Sequence, residues 1–136
     1  MKGEIYEFDP VIYPTRLWVS LCPSLETFMG KFQCLSDDGE IVSDEESERT
    51  FRKHSTSVCT TFSVVERESC WMGCLVVVWK KSEYTVGRNT HETIHVVDWI
   101  DGEIGLEGHS FTDGEPRAYL GEWVSNCIHD VIRGKV

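Results

Sequence analysis

The chain has 136 residues and a formal net charge of −10, with 40% hydrophobic and 26% charged residues, the length and composition of one globular domain around one core. An acidic surface repels a polyanion, which makes DNA and RNA poor partners. The longest strongly apolar run, CLVVVW at 74–79, is too short to cross a bilayer, and MKGEIYEFDP at 1–10 lacks the apolar stretch of a signal peptide.

Residues 1–20 read as extended, with EIYEF and TRLWVS separated by prolines at 10 and 14. PSLETFMGKF at 23–32 reads as a short helix, capped by Ser24 and ending near Gly30. SDDGEIVSDEESE at 36–48 holds seven acidic residues and reads as a solvated loop. Its acids do not keep the alternation of a calcium loop. TSVCTTFSVVE at 56–66 is β-branched and reads as a strand, and WMGCLVVVWKK at 71–81 reads as a second, central one, the two pairing as a hairpin.

The period then changes to helical. A helix is expected over 89–101, with Asn89 as N-cap, Glu92 completing a capping box and Gly102 at the stop. Glycines follow at 105, 108 and 114. A second helix is expected from Glu115 or Pro116 to Ile132, capped by Asp113 or Gly114, with Gly134 beyond its end. Strands followed by two helices give an α+β fold, taken here as one domain over 1–136. Its first part, 1–88, is mainly β with a short helix and the acidic loop, and 89–134 is a two-helix half. The six cysteines, at 22, 34, 59, 70, 74 and 127, contain no C-x-x-C pair, and they read as free thiols rather than a zinc knuckle.

The chemistry concentrates in HETIH at 91–95. On a helix, positions four apart lie on one face, so His91 and His95 can direct two imidazoles at one ion. Glu92 is rotated about 100° from His91. In H-E-x-x-H peptidases that offset places the glutamate beside the water that zinc activates, where it acts as general base. The plainer alternative is two polar histidines on an ordinary helix, with Glu92 serving only a cap. A catalytic zinc takes a third protein ligand, and Glu115, Asp101 and Asp98 are all candidates.

HETIH followed after twenty residues by a helical glutamate resembles the gluzincin branch of zinc metallopeptidases. The resemblance implies a zincin-like fold, Zn2+ as cofactor, His91, His95 and Glu115 as metal ligands, and Glu92 as base. It also implies a peptide or protein substrate held along a sheet edge, for which the strand at 71–81 is the candidate, although its apolar run suits an interior strand. The metzincin branch fits less well, since Asp98 stands where that family has glycine. Over 89–132, HETIHVVDWI and DGEPRAYLGEWVSNCI are similar to small HExxH proteins of tailed phages and prophages of Bacteroidetes. That similarity implies an alternative role as a virion structural protein, at a head–tail connector or tail. The zincin fold would then be reused with a vestigial or structural metal, other virion proteins would be partners, and a homo-oligomeric ring would be expected. The expected location is the host cytoplasm or the virion.

Among other residues, Asp98 could orient a ligand imidazole. Tyr119, one turn after Glu115, is the second catalytic candidate, placed to stabilise an oxyanion, with core packing as its plainer role. His109 and His129 read as ordinary polar residues. A third alternative is a soluble domain without metal.

Overall fold

Segments rich in β-branched and aromatic residues build a five-stranded sheet in the computed structural model, which describes residues 3–104 and 114–136. In chain order the elements are β1 (Ile5–Phe8), β2 (Arg16–Leu21), α1 (Leu25–Lys31), β3 (Phe32–Cys34), α2 (Asp44–His54), β4 (Cys59–Glu66), β5 (Met72–Val78), α3 (Val86–Ile104) and α4 (Glu115–Ile132). The strands lie in the order β1-β2-β5-β4-β3, with β2 and β5 parallel and the other pairs antiparallel. The fold is α+β with a mixed sheet and two C-terminal helices. Among the described residues no helix is long and apolar enough to cross a membrane.

β5 lies mid-sheet, which explains its unbroken apolar run. Cys74 and Val76 point to one face, with Leu17, Val19, Val96, Ile100, Val124 and Ile128. Leu75 and Val77 point to the other, with Trp18, Phe28, Phe51, Phe62 and Val64. Helices α3 and α4 therefore cover one face and α1 and α2 the other, each burying an apolar stripe. β2 and β5 approach closely at Gly73, opposite Arg16, where a Cβ would lie 1.9 Å from the Arg16 carbonyl oxygen. Only glycine fits there.

The sequence expectations for α1, β4, β5 and α4 are met, including the Ser24 cap and the β4–β5 hairpin. The acidic stretch differs from expectation. Its second half is not loop but the start of α2, capped by Ser43, whose side chain accepts from the Glu46 backbone N–H. Asp44, Glu45 and Glu46 occupy the first turn and Arg52, Lys53 and His54 the last, an order that suits the helix dipole at both ends. One face of α2 is buried through Ser47 and Phe51, four residues apart and hence aligned.

Ser47 joins α2 to the sheet by accepting the buried Cys34 backbone N–H at 2.9 Å. Ser47→Ala leaves that buried donor unpaired and is expected to cost about 1–3 kcal/mol of unfolding free energy. A denaturant midpoint unchanged from the parent would contradict this role.

Candidate metal centre

α3 begins at Val86, three residues before the expected start. Thr85 acts as its cap, its Oγ1 accepting from the Arg88 backbone N–H at 3.2 Å. Asn89 is therefore inside the helix and buried, and the Asn89–Glu92 capping box does not form. Asn89 Oδ1 instead accepts from Thr93 Oγ1 and from Ser125 Oγ, and its Nδ2 donates to the Ser125 carbonyl. At the other end α3 runs through Gly102. There Arg117 of α4 donates to Asp98 at 2.8 Å and to Asp101 at 2.6 Å. Gly121 sits between these contacts, opposite Thr93 and Val97. The two helices are thus antiparallel, and residues 89, 93, 97 and 101 of α3 face α4.

That register fixes where HETIH points. His91 and His95 each lie about 160° around the helix from Thr93, away from α4. They open into a cleft of about 880 Å³ between α3 and β4, lined by His54, Cys59, Thr61, Arg88 and Glu92 among others. The two imidazole Nε2 atoms are 3.1 Å apart and the rings meet edge to face. In this contact one nitrogen donates and the other accepts. Two nitrogens bound to one tetrahedral zinc stand about 3.3 Å apart at ordinary Zn–N lengths. The pair therefore fits a cation with little movement, and both rings are exposed to it.

Glu92 faces the sheet and is 4% exposed. Its Oε1 accepts from Thr61 Oγ1 at 3.3 Å. Burial raises its pKa above the ordinary carboxylate value, against the opposing pull of His91, His95 and the Thr61 hydroxyl. A carboxylate held in this way is a stronger proton acceptor than an exposed one. Cys59, across the cleft, is pushed up to about 11 by burial and by Glu92, with Arg88 pulling the other way. Its thiol is protonated near neutrality, which argues against a cysteine nucleophile.

The structure does not bring Glu115 to the histidines. Glu115 is exposed in the first turn of α4, beside Arg117 and so level with the C-terminal part of α3. His91 is ten residues before Asp101, about 15 Å along the helix, and points away from α4. Among the described residues no three His, Cys, Asp or Glu side chains converge as a metal site. The other third-ligand candidates, Asp98 and Asp101, are held by Arg117. Tyr119 is 67% exposed and lies about 160° around α4 from Arg117 and Gly121, so it faces away from α3. His129 is exposed near the end of α4, and His109 lies outside the described residues. The strand beside the histidines is β4 rather than β5. Thr61 and Arg88 were missed as cleft residues; the available signal was a row of polar side chains, Thr61 and Ser63, on the strand face that β2 and β5 fill with Leu and Val.

No protein-family model matches the chain, and neither a curated protein nor a solved structure does.

Because Glu92 holds its proton more tightly folded than unfolded, its contribution to stability is full below the ordinary value of 4.5 and is lost as pH rises through its raised folded value. Metal-free Glu92→Gln should therefore melt above the parent at about pH 8, with the difference shrinking below about pH 4. Thermal melts in a chelator check this, and a Gln variant less stable than the parent at alkaline pH would contradict it.

Proposed function

We propose that the chain is a zinc-dependent hydrolase of peptide bonds, with His91 and His95 as metal ligands and Glu92 as general base. The observation that carries this reading is the convergence of the two imidazole nitrogens, 3.1 Å apart, on the rim of a cleft whose wall holds the buried Glu92. Bound zinc would supply a Lewis acid that acidifies water and polarises a carbonyl. Thr61 occupies Glu92 Oε1, which leaves Oε2 to take a proton from the attacking water and return it to the leaving amine. A helix bearing HETIH laid over a mixed sheet, with the next helix antiparallel to it, supports the zincin-like expectation. Among the described residues the site supplies two of the three protein ligands that a catalytic zinc takes, and Glu115 is not placed to be the third.

Purified without a histidine tag, the protein should bind zinc. His91→Ala and His95→Ala should lose it, and Glu115→Ala should keep it. Retention of zinc by both histidine variants would overturn the assignment. Glu92→Gln should keep zinc and lose at least about a hundredfold in cleavage; undiminished cleavage would remove Glu92 from the mechanism.

The virion reading is favoured by a different observation. Val11 and Ile12, at the turn between β1 and β2, are 82% and 78% exposed and stand between Pro10 and Pro14. A stiff apolar tip of this kind suits burial in an assembly. The particle component would form oligomers that Val11→Asp with Ile12→Asp dissolves, as read by light scattering; a parent that is monomeric at all concentrations contradicts it.

A further inference from the structure

The cleft beside α3 differs in charge from the chain as a whole. The sequence carries 23 acidic against 13 basic residues. Among the described residues lining the cleft, however, the one acid is Glu92, set against Arg88 and three histidines, His54, His91 and His95. Glu92 is buried and turned onto Thr61, so it offers little negative charge to an entering ligand. Arg88 stands one turn before His91 and Glu92 on the same side of α3. It is exposed, and its charge reaches Cys59 on the facing strand. Arg16, Arg49, Arg52, Arg67 and Arg117 each pair with a carboxylate. Among the described residues Arg88 and Arg133 have no such partner, and of the two only Arg88 lines the cleft. A guanidinium presents a planar fork of N–H donors that matches a carboxylate in two parallel hydrogen bonds. The first turn of α3 adds its positive dipole end at the same place.

We infer that the cleft takes a substrate bearing a carboxylate, seated on Arg88 one helical turn from the histidine pair. The placement of a scissile amide beside His91 and His95 rests on the hydrolase reading; the recognition of the carboxylate does not. The anion is either an acidic side chain or a free C-terminus, and both offer Arg88 the same two oxygens.

Nuclear magnetic resonance titration of the full, metal-free chain separates these cases. Three probes serve: acetyl-Ala-Ala-Ala with a free C-terminus, acetyl-Ala-Glu-Ala-amide, and acetyl-Ala-Ala-Ala-amide. At least one carboxylate peptide should bind about tenfold more tightly than the neutral amide, with shifts at Arg88, His91 and Thr61, and the preference should weaken as salt is raised. Tighter binding of the first probe identifies a terminal carboxylate, and tighter binding of the second identifies a side chain. Arg88→Gln should abolish the preference and Arg88→Lys should keep part of it, while an unchanged amide spectrum elsewhere reports that the fold is intact. Equal binding of the neutral amide, a preference that survives Arg88→Gln, or binding of none of the three overturns the inference. Failure of zinc binding or cleavage leaves this metal-free preference untouched, so the two readings fall separately.

Discussion

The rotation of α3 about its own axis is the constraint on which the site depends. Polar contacts to α4 hold it at both ends, Asn89 with Ser125 and Arg117 with Asp98 and Asp101. Between them Gly121 of α4 lies opposite Thr93 and Val97, and Val96 and Ile100 are buried in the core on that face of the sheet. A shift of one residue in that packing would turn every side chain by about 100° and carry the histidines out of the cleft. With the rotation fixed, His91 and His95 have one direction left, away from α4 and along β4.

One face of the sheet serves two purposes. Where β2 and β5 present Leu17, Val19, Cys74 and Val76, the helices close down and exclude water. Farther along, β4 presents Thr61 and Ser63 among the lining of the cleft. Polar side chains on a core-facing strand cannot be buried without partners, so the helix stands off and a cleft remains. Glu92 lies at the boundary between the two regimes. It is buried enough for its proton affinity to rise, and it keeps the Thr61 hydroxyl as partner.

Much of this was legible in the sequence because it is local. The β-branched and apolar runs of β4 and β5, the Ser24 cap of α1 and the span of α4 follow from neighbouring residues. So does the placing of His95 one turn beyond His91, on the same side of α3. α2 was missed because seven acids in a short window read as solvated chain; the Ser43–Glu46 spacing and the Ser47–Phe51 stripe were the better signals. The start of α3 was misplaced because Asn and Thr are both good caps, and only the tertiary contact with Ser125 shows that Asn89 is interior. Glu115 failed as a partner for a related reason. Twenty residues of separation do not specify which turns of two antiparallel helices lie side by side, and here the early turns of α4 meet the late turns of α3. The pairing of Glu92 with Thr61 joins elements 31 positions apart and has no local trace.

X-ray absorption at the zinc edge, on the full chain loaded with one equivalent of zinc, tests the histidine pair most directly. Two imidazole nitrogens at about 2.0–2.1 Å, with the remaining neighbours oxygen, is the predicted result. A shell containing sulfur, or a spectrum indistinguishable from hydrated zinc in buffer, would contradict it.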